Sequence, residues 1–181
     1  MRARFERLSR VSRKKMQRKF PKVVFADHAV GEVAIESVCA FQSPARVILY
    51  LHGGAFFMGS PASYRNRAMR LSYRCNAEVF VPDYRLAPEH PYPAAFDDAL
   101  AAWKFVKSFR PDAPIFVAGD SAGGNLAAVV SQQAAAAGEP VPACQVLIYP
   151  ATDFALDTPS HRELEDAHII PRDRILWYAE Q

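Results

Sequence analysis

The chain has 181 residues, half of them hydrophobic, which predicts one ordinary globular domain with a sizeable core and excludes a disordered chain. Its 22 basic and 19 acidic residues leave a net charge of +3. The three cysteines, Cys39, Cys75 and Cys144, are far apart and lack metal-ligand spacing. We therefore expect buried thiols in a reducing, cytoplasmic compartment, and no metal site.

The first 22 residues differ in composition from the rest. They hold ten basic residues against Glu6 alone, a local net charge of +9, so residues 23–181 carry a net charge of −6. Five apolar residues fall within about half of a helical wheel; they are Phe5, Leu8, Val11, Met16 and Phe20. The sequence thus predicts a basic amphipathic arm over residues 1–22 and one domain over residues 23–181. The arm has no apolar stretch typical of a secretory signal.

Strand and helix patterns then alternate along the chain. Short strand-like segments at residues 23–25 and 33–41 predict an antiparallel start to a sheet. The apolar run at residues 47–51 is typical of a strand buried on both faces of a parallel sheet. A helix is predicted over residues 61–74, with its arginines on a solvated face, and the next strand over residues 78–81. Further along, we expect a helix at residues 94–109 and a strand at 143–149.

A glycine-rich turn around Ser121 joins a strand to a helix. Residues 114–118 are apolar and β-prone, whereas an alanine-rich, helix-forming stretch runs from the turn to about residue 137. Gly-x-Ser-x-Gly between a strand and a helix is the nucleophile elbow, in which small flanking residues allow a tight turn that exposes the serine hydroxyl. Ser121 is therefore the candidate nucleophile. The alternative is a glycine-rich turn without chemistry.

Three motifs now stand in one order: His52-Gly53-Gly54-Ala55-Phe56, the block DYRLAPEHP at residues 83–91, and GDSAG at residues 119–123. From about residue 47 to its end, the chain resembles the hormone-sensitive-lipase-like family of α/β-hydrolases. The resemblance implies a mostly parallel sheet with helices on both faces. It also implies cofactor-free hydrolysis of small-molecule carboxylic esters through an acyl-serine.

The same resemblance assigns the oxyanion hole to the N–H groups of Gly53, Gly54 and Ala122. Ala55 departs from the family pattern, because it stands where a third glycine is usual. If that position needs a positive φ, alanine carries a conformational cost. His52 is expected to orient this loop rather than to act as a base.

Other charged residues before the nucleophile are interpreted as structural. We expect an ion-pair network among five of them, namely Asp83, Arg85, Glu89, Asp97 and Asp98. His28 and His90 are placed in turns, with no catalytic role.

The acid and base of a triad are not evident. In this fold they follow the serine in the order acid, then histidine, on loops after later strands. Residues 150–181 predict only a polar loop and one helix near 175–178, so we expect that the last strands of the sheet are missing and that the chain is truncated. Asp153 or Asp157 with His161 or His168 would satisfy the chain order, but these residues lie in a charged loop.

Three functions remain open at this point: a serine carboxylesterase or part of one, a small-molecule binding protein that keeps the cleft, or an inactive remnant.

The basic arm is also open to more than one interpretation. The resemblance favours a helix that packs over the substrate entrance. Weak contact with an anionic membrane surface is the second interpretation, and a nucleic-acid arm or targeting peptide is the third. We expect no nucleic-acid partner.

Overall fold

The computed structural model describes residues 1–180 and contains one six-stranded sheet with the order β1-β2-β4-β3-β5-β6. β1 and β2 are antiparallel to each other and β2 is antiparallel to β4, whereas β4, β3, β5 and β6 are mutually parallel. The strands are β1 (Val24–Val30), β2 (Val33–Cys39), β3 (Arg46–Leu51), β4 (Ala77–Pro82), β5 (Ile115–Asp120) and β6 (Cys144–Ile148). The prediction of a mostly parallel α/β sheet that begins with an antiparallel pair is confirmed.

Helices cover both faces of the sheet. They are α1 (Arg2–Ser9), α2 (Arg13–Lys19), α3 (Pro61–Cys75), α4 (Ala94–Phe109), α5 (Ala122–Ala136), α6 (Pro159–Glu163) and α7 (Arg172–Ala179). Alternate residues of β3 face opposite layers, as the period of a strand requires. Leu49 and Leu51 pack with side chains of α4 and α5, while Ile48 and Tyr50 pack with side chains of α2 and α3.

The arm differs from its predicted form. Instead of one amphipathic segment it contains two short helices, α1 and α2, because Ser12 is extended and its side chain accepts a hydrogen bond from Lys15 N at 3.2 Å. This N-cap starts a new helix and breaks the predicted apolar stripe. Met16 is 5% exposed, whereas Leu8 is 72% exposed. The division of the chain at residue 22 stays a prediction.

Two further expectations are corrected. His28 lies within β1 rather than in a turn, and its Nε2 is 2.9 Å from the hydroxyl of Ser37 on the neighbouring strand. The three cysteines are free, but Cys39 and Cys75 are only half-buried and Cys144 is exposed. None of the helices within residues 1–180 has the length and apolar character needed to cross a bilayer.

β6 forms an open edge of the described sheet. It pairs with β5 on one side, and most of its side chains are exposed. Val146 and Ile148 belong to this exposed strand. An edge strand presents unpaired backbone N–H and C=O groups. The prediction that later strands belong at this edge stays a prediction.

Candidate active site

Ser121 occupies a strained turn between β5 and α5. Its φ of 54° and ψ of −122° lie outside the ordinary range for a residue with a side chain. The turn is possible because its glycines permit close backbone contacts: a Cβ at Gly119 would lie 2.1 Å from Gly123 O, and one at Gly123 would lie 2.0 Å from Leu51 O. Such a conformation costs about 1–3 kcal/mol and persists only where the surroundings impose it.

Hydrogen bonds hold the backbone of the elbow on both sides. Ser121 N donates to Ile148 O at 2.9 Å, and Ala151 N donates to Ser121 O at 3.1 Å. The side-chain amide of Asn125 donates to Ala151 O at 2.7 Å, which ties the segment after β6 to the first turns of α5. Within residues 1–180 the half-buried Ser121 hydroxyl has no hydrogen-bond partner. The backbone of Ser121 is thus fixed while its hydroxyl stays available.

The loop after β3 passes in front of the elbow and adopts left-handed backbone. Gly54 has a φ of 134°, and a Cβ there would lie 1.9 Å from Met58 O, so this position requires glycine. Ala55 and Phe56 follow with φ values of 56° and 59°. The position where Ala55 replaces the usual glycine therefore does adopt a positive φ, at a cost to alanine.

The backbone N–H groups near Ser121 differ in their hydrogen bonding. Gly53 N donates to Asp120 Oδ1 at 3.2 Å and to the Tyr64 hydroxyl at 3.1 Å. Among the described residues, no acceptor receives the N–H groups of Gly54, Ala55 or Ala122. An oxyanion hole needs donors that are unoccupied and already oriented. The N–H groups of Gly54 and Ala122 are unoccupied, so their assignment stays a prediction, whereas the prediction for Gly53 requires that its present bonds break.

Asp120 organises the polar network behind the nucleophile. It is buried, and its carboxylate accepts hydrogen bonds from the hydroxyls of Tyr50 at 2.8 Å and Tyr64 at 3.1 Å. Arg67 Nη1 lies 2.9 Å from Asp120 Oδ2 and completes an ion pair. Burial, together with the nearby Asp120 charge, raises the pKa of Tyr50 and Tyr64, so both hydroxyls remain protonated donors.

The prediction that the α3 arginines form a solvated face is confirmed for most of them, and it is wrong for Arg65, which is half-buried. Arg67 pairs with Asp120, and Arg65 pairs with the buried carboxylate of Glu36 at 2.7 Å. Arg67 is 44% exposed although it is paired, and Arg70 and Arg74 are exposed as well. α3 is therefore attached to the sheet by ion pairs as well as by its apolar face.

His52 contacts the loop that contains Gly53 and Gly54 and holds it in place. Its Nδ1 is 3.0 Å from Gly53 O, its ring stacks on Tyr84 with centroids 4.2 Å apart, and the Tyr84 hydroxyl donates to His52 O at 2.6 Å. Since a carbonyl only accepts, Nδ1 carries the proton. Complete burial lowers the pKa of His52 to about 4, so the ring is neutral at pH 7. These contacts match the predicted orienting role.

The predicted ion-pair network before the nucleophile is confirmed for Arg85, which pairs with Asp98 on α4 at 2.7 Å. Glu89 instead pairs with Arg2 of the arm at 2.8 Å. Arg2 Nε also donates to Phe57 O at 2.6 Å, and its guanidinium contacts Ala87 O. The beginning of α1 is thereby held against the loop that follows Gly54.

An apolar cavity of about 440 Å³ lies beside the elbow. Its walls come from the glycine loop, from α4 and α5, and from the segments after β6; they include Phe56, Ala87, Phe96, Asn125, Phe154 and Tyr178. Asn125 lies one helical turn beyond Ser121, and Phe56 follows the free N–H groups of Gly54 and Ala55. An apolar group bound here would therefore contact the first turns of the helix that follows the candidate nucleophile.

Comparison with known proteins decides the family. The family described as the α/β hydrolase fold matches residues 48–181. The chain belongs to this family. It is 42% identical over 150 residues to the esterase LipI of Mycobacterium tuberculosis, which covers 78% of this chain and 47% of LipI. It is 36% identical over 140 residues to the ethyl acetate hydrolase of Pseudomonas putida, covering 74% of this chain and 44% of that protein.

Solved structures agree with the family. A hormone-sensitive lipase from a metagenome library superimposes with a TM-score of 0.85 at 33% identity, and the match covers 99% of this chain and 59% of that one. The resemblance to hormone-sensitive-lipase-like proteins is thus confirmed. The chain spans about half the length of the curated relatives that it matches.

The candidate acids and bases of this hydrolase chain do not reach the nucleophile. Asp153 Oδ1 accepts from the nearby Ala155 N at 2.8 Å, and His161 Nδ1 is 2.8 Å from the Thr158 hydroxyl. His168 and Asp157 are exposed. Within residues 1–180, none of these side chains is hydrogen-bonded to Ser121. The same part of the chain contains no cluster of three His, Cys, Asp or Glu side chains able to hold a metal ion.

Sequence reasoning missed three contributors to this hydrolase site. Arg67, Tyr50 and Tyr64 all bind Asp120, and none of these three contacts was predicted from the sequence. No local motif marks them, because Asp120 lies 70 residues from Tyr50 in sequence. The N–H of Ala55, which directly follows Gly54, is likewise without an acceptor among the described residues.

Proposed function

We propose that this chain supplies the nucleophile and the oxyanion hole of a serine hydrolase that acts on small-molecule carboxylic esters. Ser121 attacks the ester carbonyl carbon, and the N–H groups of Gly54 and Ala122 stabilise the oxyanion. We propose Ala55 N–H as the third donor in preference to Gly53 N–H, because the latter is bonded to Asp120. The alcohol leaves, and water then releases the acid from the acyl-serine without a cofactor.

The proton of Ser121 must pass to a base during attack and then to the departing alcohol. We propose that this histidine, and the carboxylate that orients it, lie outside residues 1–180. In a serine protease, loss of the catalytic histidine lowers turnover by a factor on the order of 10⁶. By itself, this stretch of chain should therefore bind esters and turn them over very slowly.

One observation carries the proposal: Ser121 is held at a φ of 54° by hydrogen bonds to its main chain while its hydroxyl remains without a partner among the described residues. Backbone strain at a residue with a reactive side chain indicates a functional site rather than a packing requirement. The apolar cavity beside it favours uncharged esters with a hydrocarbon group.

Labelling with a fluorophosphonate tests the proposal. Because the proposed base lies outside residues 1–180, the expected result is one adduct that forms slowly with excess reagent, detected by intact mass and located on Ser121 by peptide mapping. The adduct should be absent in Ser121→Ala and present in Ser131→Ala, which changes a half-buried serine on the same helix. A folded sample that takes up no label even on prolonged exposure, or an adduct that persists in Ser121→Ala, would contradict Ser121 as the nucleophile.

A second candidate function is non-catalytic binding of a small apolar molecule. It is favoured by the lack of any histidine bonded to Ser121 within residues 1–180. In that case the folded chain binds an apolar ester in the cavity, as measured by titration calorimetry, but takes up no fluorophosphonate. The two functions therefore give opposite labelling results.

We also propose a cytoplasmic location. The support is chemical: Cys39, Cys75 and Cys144 are all free thiols, and such thiols persist in a reducing compartment. Fractionation of cells that express the tagged chain would test this.

A further inference from the structure

The ten cations of the arm fall into two groups with different surroundings. Arg2 and Arg13 face the domain: Arg2 pairs with Glu89 and donates to Phe57 O, and Arg13 pairs with Glu36 and with Asp27. These two residues fasten α1 and α2 to the hydrolase domain. The arm is therefore a fixed part of the molecular surface.

The remaining eight cations are exposed to solvent; they are Arg4, Arg7, Arg10, Lys14, Lys15, Arg18, Lys19 and Lys22. Glu6, the one acidic residue of the arm, is half-buried and accepts a hydrogen bond from the Ser60 hydroxyl at 2.8 Å. The outer surface of the arm is thus almost purely cationic, whereas residues 23–181 carry a net charge of −6. This asymmetry orients the molecule toward a negatively charged surface.

Exposed apolar side chains accompany these cations. Met1, the N-cap residue of α1, and Leu8 lie seven positions apart, hence on one side of the helix, and both are exposed. α7 adds Leu176 and Trp177, and it reaches α1 through the Tyr178 hydroxyl, which donates to Met1 Sδ at 3.3 Å. We call the eight exposed cations, together with Met1, Leu8, Leu176 and Trp177, the arm face.

The arm face lies at the cavity. Tyr178 forms part of the cavity wall, and Trp177 packs edge-on against Phe57, the residue to which Arg2 donates, with ring centroids 5.0 Å apart. Cations alone would suit a nucleic acid. Exposed methionine, leucine and tryptophan beside them gain nothing from phosphates in water, but they are the side chains that enter the headgroup region of a bilayer.

We propose that the arm face binds the surface of a bilayer that contains anionic phospholipids, with α1 and α7 in the headgroup region. Each lysine or arginine near such a surface strengthens binding about 5-fold. The cavity then opens next to the membrane, and, on the proposed function, apolar esters dissolved in the bilayer are its substrates. The membrane contact itself needs no catalysis.

Vesicle flotation of the full chain tests the charge requirement. We expect binding to vesicles of phosphatidylcholine with phosphatidylserine, little binding to phosphatidylcholine alone, and loss of binding at high salt. Lys14→Gln/Lys15→Gln should weaken binding about 30-fold. The matched control Arg70→Gln/Arg74→Gln removes two exposed cations of α3 and should change binding less than about 2-fold.

Tryptophan fluorescence tests the orientation, because the chain has only two tryptophans. Trp177 is 41% exposed and belongs to the arm face, whereas Trp103 is 2% exposed. Brominated lipids in the anionic vesicles should quench the wild-type emission but not that of Trp177→Phe. Emission that brominated lipids leave unchanged would contradict the orientation.

The proposal is overturned if neutral and anionic vesicles bind equally, if Lys14→Gln/Lys15→Gln binds like its control, or if the chain binds RNA but no vesicles. All measurements can be repeated with Ser121→Ala, which should bind vesicles like the wild type. Vesicle binding tests the membrane contact and fluorophosphonate labelling tests the proposed function. A negative result in one experiment therefore leaves the other conclusion unaffected.

Discussion

At the scale of single residues, the site depends on backbone conformations that side chains disfavour. Ser121 has a φ of 54° and Ala55 one of 56°, and neither residue is glycine. Ser121 keeps this conformation because Ile148 O and Ala151 N bind its main chain on either side. A glycine would adopt the same conformation at less cost, so the serine is retained for its hydroxyl.

The strain at Ser121 predicts the order of stability of two variants. Ser121→Gly should have a free energy of unfolding about 1 kcal/mol above that of Ser121→Ala, because only glycine relieves the positive φ. At Ser131, in the interior of α5, the order should reverse by a similar amount, since glycine disfavours helix. Urea titrations of the four variants measure both differences. The same order at both positions would contradict the strain.

Sequence motifs revealed the residues whose roles depend on their immediate neighbours. The spacing of glycines around Ser121 is a local property, so the elbow was predictable. The bond from Gly53 N to Asp120 joins residues 67 apart, and no pattern in either stretch announces it. For the same reason the proposed preference for Ala55 over Gly53 as an oxyanion donor rests on the three-dimensional arrangement.

At the scale of elements, α3 is held on the sheet by two ion pairs with buried carboxylates. Arg65 binds Glu36 of β2, and Arg67 binds Asp120 at the end of β5. Because Asp120 immediately precedes Ser121, the second pair links the position of α3 to the start of the elbow. Helical periodicity identified which side of α3 is polar but not which strands it faces.

Removal of Arg67 tests this link. Arg67→Gln leaves the buried Asp120 carboxylate with its tyrosine donors but no cation. This should lower the free energy of unfolding by about 1–2 kcal/mol. The effect is smaller than for a fully buried ion pair because Arg67 is partly exposed to solvent. The control Arg70→Gln, in an exposed position on the same helix, should change it by less than about 0.5 kcal/mol. Equal effects in chemical denaturation would count against the link.

The regular elements were the most predictable part of the fold. β3, β4 and β5 are mainly apolar because both faces of each strand are covered, and α4 spans the predicted residues 94–109. The helices of the arm were harder to predict. Its apolar residues fit the wheel of one continuous helix, but Ser12 caps the start of a second helix. The wheel takes no account of where a helix begins.

At the scale of the whole molecule, two surfaces differ in character: the cationic surface of the arm and the open edge of the sheet at β6. The arm carries the positive charge, and the open edge of β6 carries unpaired backbone groups beside exposed apolar side chains. This chain matches 59% of the solved relative from a metagenome library, so that relative has further residues outside the matching part. Without a strand on it, the edge of β6 favours association between copies of the chain.

A charge on β6 should suppress that association. Val146 is 47% exposed on the edge strand, and Val146→Lys should weaken self-association about 10-fold, because a lysine on an edge strand opposes pairing with another strand. Val141→Lys adds the same charge at an exposed position before the strand, and should leave association unchanged. Sedimentation velocity over a range of concentrations measures both. If the two variants associate equally, net charge rather than the β6 edge controls assembly; if neither differs from the wild type, copies meet through another surface.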